Sequence, residues 1–333
     1  MLKKISFKLL YLLLFIGFLF NFSLNAQNTK LVKPAYLKAG DTIAIVAPAG
    51  ILSDKEPIEK AIKLVEGWGL HVILGKHLFD SNFHFSGTDA ERTEDFQSAL
   101  DNKSVKAIWC GRGGYGTVRI IDALDFTKFK KNPKWIIGYS DITVLHSHIH
   151  NLGYETLHAM MPVNMKVRKE DRLKTVKTFK KALFGKKLNY KNASSPYNKL
   201  GTAKGQLVGG NLSILQSLLG SVSSIDTKGK ILFIEDVGEY LYSIDRMIYA
   251  LKRSGYFKNC NGIIVGGMTN IKDNSTPFGQ TVEEIVLEAT NEFNFPIVFN
   301  FPAGHDKDNR AIFLGREIEM KVGKKHAVVK FIK

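Results

Sequence analysis

The chain has 333 residues, 44% hydrophobic and 23% charged, which allows two domains of ordinary size and excludes an intrinsically disordered protein. Its formal charge of +16 comes from lysines spread along the chain, with a main cluster at 166–191. Its few aromatics, Phe179, Phe184 and Tyr190, do not interleave with the lysines as a stacking platform would require, which argues against a nucleic-acid partner. A solvated cationic face fits, as does an anionic envelope or wall polymer as partner.

Lys3, Lys4 and Lys8 precede an unbroken apolar run, Leu9 to Phe20, and Leu24-Asn-Ala26 follows. This is the pattern of a secretory signal peptide, residues 1–26. The run is shorter than the ~20 residues of a membrane span. A retained N-terminal anchor is the alternative, and no cysteine lies near for a lipid. Removing residues 1–26 takes away three lysines and lowers +16 to +13. The expected working protein begins near Gln27 and is exported, to the periplasm.

From there the elements alternate. Asp41 to Val46 is a strand, Lys55 to Trp68 has helical spacing, and His71 to Leu74 is a second strand. Thr88 or Asp89 caps a helix, Val105 to Cys110 is a strand, and Gly111-Arg-Gly-Gly-Tyr-Gly116 leads into a helix from Thr117. Trp135 to Ile137 is another buried strand. Strands alternating with helices predict a parallel sheet over 32–164 with helices on both faces. Residues 165–200, Lys-rich with one amphipathic helix, read as a linker. Residues 201–333 read as a mixed second domain without clean alternation: a turn at 209–211, strands at 231–235, 262–265 and 297–301, and a closing hairpin from 317 to 332.

The residues with chemistry start at Trp135-Ile-Ile-Gly-Tyr-Ser-Asp-Ile-Thr-Val-Leu-His146. Four residues between strand and helix force a sharp turn with Ser140 at its apex. Such a turn presents a nucleophilic hydroxyl beside helix-opening N–H groups, such as that of Asp141. Ile142 stands where the second glycine of the usual elbow pattern would be, and Ser140 as a helix cap is the plain alternative. Gly111, Gly113 and Gly116 match a dinucleotide fingerprint in form. However, strands precede them and no acid follows at the required distance, so nucleotide binding is not expected. A backbone N–H from Gly113 or Gly114 as an oxyanion donor fits better. His305, in a loop just past a strand, is the candidate base. Glu235, ending an apolar strand, is the candidate acid, with Asp236 and Glu239 as competitors. His146, His148 and His150 have the wrong spacing for a zinc site. Cys110 and Cys260 have no metal spacing and are expected as free thiols.

Taken together, these segments resemble the LD-carboxypeptidase family of serine peptidases, which also contains immunity peptidases against microcin C-type antibiotics. Its motifs look like Gly87-Thr-Asp-Ala-Glu-Arg92, Arg112 to Gly116, Gly138-Tyr-Ser-Asp141, Gly209-Gly-Asn-Leu212, Ile234-Glu-Asp236 and Gly304-His305. One departure is Thr156-Leu-His-Ala-Met-Met-Pro162, where relatives often have Gly-Pro. The resemblance implies Ser140 as nucleophile, Glu235 as relay acid and His305 as base. It also implies a flavodoxin-like parallel N-terminal α/β domain, a smaller mixed β-rich C-terminal domain, an interdomain active site and a homodimer. The implied chemistry is cofactor-free and metal-free: hydrolysis of the amide before a terminal D-amino acid of a peptidoglycan stem peptide or muropeptide. Arg112 and Tyr115 are candidate substrate contacts, and Arg112 or Arg119 could meet the substrate carboxylate. Two rivals remain: a peptidase acting on peptidyl- or aminoacyl-nucleotides, and a non-catalytic exported binding protein.

Overall fold

The computed structural model describes residues 31–332. The expected signal peptide lies outside the described residues. Among those described, no helix is long and apolar enough to cross a membrane.

The first half alternates as the periodicity requires. It runs β1 (Thr42–Val46), α1 (Glu56–Glu66), β2 (His71–Leu74), α2 (Asp89–Asp101) and β3 (Val105–Cys110), then the short α3 (Thr117–Ile120) and α4 (Thr127–Lys131). It continues with β4 (Trp135–Gly138), α5 (Thr143–Asn151) and β5 (Thr156–His158). Helix α1 buries Ile58, Ala61 and Val65 on one stripe, and its Pro57 sits in the first turn, where a missing N–H costs nothing. Helix α2 opens on a capping box, in which Thr88 accepts from the Glu91 N–H and Glu91 accepts from the Thr88 N–H. The sheet order is β2-β1-β3-β4-β5, all parallel, which is the flavodoxin-like layout. A sixth strand, β11 (Ile312–Leu314), comes from far along the chain and pairs antiparallel with β5.

Residues 165–200 do more than link. Helix α6 (Leu173–Leu183) sets Phe179 against Trp109 of β3, with ring centroids 5.1 Å apart. Strand β6 (Asn189–Ala193) forms the edge of the second sheet.

The second half corrects the sequence reading. It does alternate: β7 (Gly201–Asn211), α7 (Leu212–Ser217), β8 (Ile231–Val237), α8 (Leu241–Arg253), β9 (Gly262–Thr269), α9 (Val282–Ala289) and β10 (Ile297–Val298). Those four strands are parallel neighbours. β12 (Glu317–Val322) and β13 (His326–Phe331) form the expected hairpin and extend the sheet antiparallel through β7. With seven strands against six, this sheet is not the smaller one. The alternation was hidden because β7 and β9 are glycine-rich and buried along most of their length, so neither shows a period of two.

Gly209 to Asn211 form the end of β7, not a turn. The reason is a close approach: a Cβ on Gly210 would lie 2.4 Å from Thr143 Oγ1. The Asn211 N–H donates to that same oxygen at 3.0 Å. A bare backbone at Gly210 thus lets the second sheet touch α5 three residues beyond Ser140. One core cluster, including Trp109, Trp135, Phe233 and Ile264, is shared by both sheets.

Candidate active site

Parallel strands in α/β sheets present ligands at their C-terminal ends. The three chemistry-bearing residues come from three such ends: Ser140 follows β4, Glu235 lies near the C-terminal end of β8, and His305 follows β10. Ser140 has φ of 64°, left-handed backbone in a non-glycine residue. Such strain costs about 1–3 kcal/mol and persists only where packing imposes it. Here the packing is Ile142, fully buried, which closes over Gly138 and occupies the position of the missing second glycine.

His305 Nε2 lies 3.1 Å from Ser140 Oγ, and His305 Nδ1 lies 2.6 Å from Glu235 Oε2. The His305 backbone N–H donates to the same carboxylate oxygen at 3.1 Å. An ionised carboxylate only accepts, so Nδ1 carries the proton and Nε2 is free to accept from the serine hydroxyl. Gly304 makes this contact feasible, since with φ of 111° a Cβ there would fall 2.6 Å from Glu235 Oε2. Burial pulls the His305 pKa down. The Glu235 hydrogen bond and charge, with Asp236 and Asp306 behind them, outweigh burial and raise it above 6.5. The Tyr139 ring packs edge-on to His305 at 5.0 Å and fixes its plane.

The competing acids are placed elsewhere in function. Asp236 is buried, accepts from Asn211 Nδ2 and the Ser213 N–H, and holds the start of α7; burial pushes it up to about 6. Glu239 lies past the end of β8, and its carbonyl accepts from the Lys272 N–H. Asp141 buries its carboxylate against the Thr117 N–H at 2.8 Å, which ties the glycine loop to the elbow.

That loop lies against the serine. A Cβ on Gly113 would stand 2.9 Å from Ser140 Cβ and 3.4 Å from the Asp141 nitrogen. The Gly113 carbonyl accepts from the Gly50 N–H at 3.0 Å. In a trans peptide the next N–H points the opposite way. Gly114 N–H is therefore directed away from Gly50. Gly113→Ala should lower kcat about a hundredfold through displacement of the serine, with the melting temperature little changed; steady-state kinetics beside a thermal melt checks this.

Arg112 donates one guanidinium N–H to the Ile51 carbonyl at 2.9 Å, and Tyr115 is half exposed beside it in the loop. Arg119 is taken up in a two-pronged pair with Asp89, at 2.7 to 3.0 Å. Arg92 was legible only as part of a motif. Buried, it bonds Asp89, the Pro48 carbonyl and the Gly116 carbonyl, and so clamps the loops after β1 and β3 together. His146, His148 and His150 do not converge on a metal. His146 bridges Thr156 Oγ1 and the Gly138 carbonyl, and His148 bonds Ser223. Among the described residues the one metal-capable group is His77, Asp80 and Glu91, at the protein surface. Cys110 and Cys260 are buried and free, and burial raises both thiol pKa values.

A serine, a histidine and a carboxylate in hydrogen-bonded sequence at the meeting of two α/β sheets define a serine-hydrolase-type site. The chain belongs to the LD-carboxypeptidase family: residues 43–159 match the family's N-terminal domain and residues 204–320 its C-terminal domain. It is 37% identical to the probable murein peptide carboxypeptidase of Bacillus subtilis over 305 residues, covering 89% of this chain and 94% of that one. The crystal structure of the muramoyltetrapeptide carboxypeptidase from Oxalobacter formigenes superposes with a TM-score of 0.80 at 27% identity, covering 88% of this chain and 99% of that one. MccF in complex with glutamyl sulfamoyl guanosine shares the fold, with a TM-score of 0.80 at 22% identity over 90% of this chain and 98% of that one. The protein is a carboxypeptidase of this family.

Proposed function

We propose that this chain is an exported serine LD-carboxypeptidase that removes the terminal D-alanine from peptidoglycan tetrapeptide stems. The observation that carries the reading is the relay of Ser140, His305 and Glu235 at 3.1 and 2.6 Å. In the proposed reaction Ser140 Oγ bonds to the scissile carbonyl carbon while its proton passes to His305 Nε2. Glu235 holds the Nδ1–H tautomer and the charge that develops on the ring. The Asp141 and Gly114 N–H groups meet the oxyanion, each such donor being worth about 3–4 kcal/mol of barrier. The C–N bond then breaks as the imidazolium returns its proton to the departing amine. Water, deprotonated by the same histidine, hydrolyses the acyl-enzyme.

Arg112, which keeps N–H groups beyond its bond to Ile51, is the proposed contact for the substrate's terminal carboxylate. An open cleft of about 1270 Å³, walled in part by His305, Asp306, Gly267 and Asn270, is wide enough for the rest of a peptide. Homodimerisation and periplasmic location complete the reading.

The test is mass spectrometry of residues 27–333 incubated with disaccharide tetrapeptide. Loss of one D-alanine is expected. An intact tetrapeptide with a cleaved aminoacyl-nucleotide would move the substrate to the other branch of the family. Neither cleaved, by a folded protein, would overturn the enzymatic reading.

A further inference from the structure

Helix α6 sets its own charges against one another. It carries four lysines, all exposed, and no acid. Lys174, Lys177 and Lys181 follow at spacings of three and four, where helix side chains are neighbours and like charges destabilise. Lys174 also stands in the first turn, behind Arg172, at the positive end of the helix dipole, with no acid there and no side-chain cap. The packing of the helix rests on the opposite face, through Phe179, Ala182 and Leu183. Among the described residues Lys177 and Lys181 pair with no carboxylate, and neither do Lys186 and Lys187 just past the helix. The segment 166–191 holds eleven basic side chains against two acids, a net +9 of the chain's +16. Folding does not account for this concentration.

The second observation is where the stripe begins. Thr175 Oγ1 donates to the Lys307 carbonyl at 3.3 Å, and the Ala311 N–H donates to Thr178 Oγ1 at 3.1 Å. Helix α6 therefore braces the loop that carries His305. Lys174 Nζ lies 3.9 Å from an Asp308 carboxylate oxygen, and Lys307 and Asp308 stand with His305 on the wall of the open cleft. From that rim the stripe runs ~10 Å along the helix, from Lys174 to Lys181. It is a track of cations with one end at the active-site cleft.

A row of unpaired ammonium groups attracts a polyanion. Polyanions differ in what else they require. Nucleic-acid bases need exposed rings to stack on, and the one ring of α6, Phe179, is buried. A helix lying on a membrane inserts apolar side chains into lipid, whereas α6 turns Phe179 and Leu183 into the protein and leaves Leu173 as its one exposed large apolar residue. A wall strand needs only the row of charges. Every uncleaved stem ends in a free carboxylate, so the strand repeats that charge along its length. The end of the track at the cleft favours the same occupant, since a strand held there has its stems beside His305. We propose that the lysine stripe of α6 binds the peptidoglycan strand that bears the stems. The proposal rests on the stem-peptide reading of the active site.

Binding is read by co-sedimentation of the Ser140→Ala protein, residues 27–333, with isolated sacculi over a range of sodium chloride. Binding is expected to weaken steeply as salt rises, and Lys177→Gln/Lys181→Gln to raise the apparent Kd about tenfold. Lys228→Gln/Lys258→Gln removes the same charge from exposed sites before β8 and β9, at the opposite ends of those strands from the catalytic loops, and should leave the Kd within about twofold. On the wild-type background, Lys177→Gln/Lys181→Gln should cleave soluble disaccharide tetrapeptide with unchanged kcat and KM and be slower on sacculi alone. Its melting temperature should match or exceed that of the wild type, because like-charge contacts are relieved. Equal weakening by the two pairs would mean a general charge effect and overturn the proposal. Anionic phospholipid vesicles bound as tightly as sacculi would make the partner a membrane and overturn it too. No salt-dependent binding to sacculi overturns it even if D-alanine is released. Binding lost with the stripe supports it even if no stem is cleaved.

Discussion

Ser140→Ala is expected to reduce kcat at least 10⁴-fold while leaving substrate affinity nearly intact. In the proposed mechanism the hydroxyl oxygen bonds to the scissile carbon, so its loss removes the covalent route altogether. The proposed carboxylate contact, Arg112, is untouched. Alanine also relieves little of the strain at φ of 64°, because the left-handed turn is imposed by Ile142 and Gly138 and not by the side chain. Single-turnover mass spectrometry with tetrapeptide reads the rate, and calorimetric titration of the variant reads the affinity. Hydrolysis at the wild-type rate would remove Ser140 from the mechanism.

Glu235→Gln should cost about 10⁴-fold in kcat, the effect of leaving a triad histidine in the wrong tautomer. Glutamine offers an amide N–H where the carboxylate only accepts, so the imidazole is free to place its proton on Nε2, facing Ser140. The pH profile supplies a second signature. In the wild type His305 is raised above 6.5, and in the proposed mechanism it accepts the serine proton only when neutral. The acid limb of kcat/KM should therefore have its inflection above 6.5, with activity rising as pH rises through it. In the variant the carboxylate's hydrogen bond and charge are gone while burial, which lowers the pKa, remains. The inflection should move to lower pH as the rate collapses. A fall in rate with an unmoved inflection would show that Glu235 does not govern the titrating group.

Much of this was legible along the chain. Short apolar strands bounded by turn residues spell out β1 to β4, with α1 marked by its apolar stripe and α2 by its capping box; β5, three residues in a stretch without pattern, was not read. The sharp turn at Ser140 was legible because only four residues separate a strand from a helix; whether the serine caps that helix or faces a base was not. The second sheet was not. Its parallel strands are buried and glycine-rich, and burial on both faces erases the alternation that marks a strand. Arg92 was invisible as an organiser, since its partners are carbonyls of Pro48 and Gly116, 44 and 24 residues away.

The sequence by itself determined the local chemistry: which strand ends carry a serine, an acid and a histidine, and where glycine permits close backbone approach. Only the tertiary structure decided how these combine. Ser140 and His305 lie 165 residues apart, and Glu235 stands 70 residues from His305. Asp236, adjacent to Glu235 and of the same charge, faces Asn211 and α7 instead. Successive side chains of a strand point to opposite faces. The choice between the two acids was therefore set by which face of β8 turns toward the loop that carries His305.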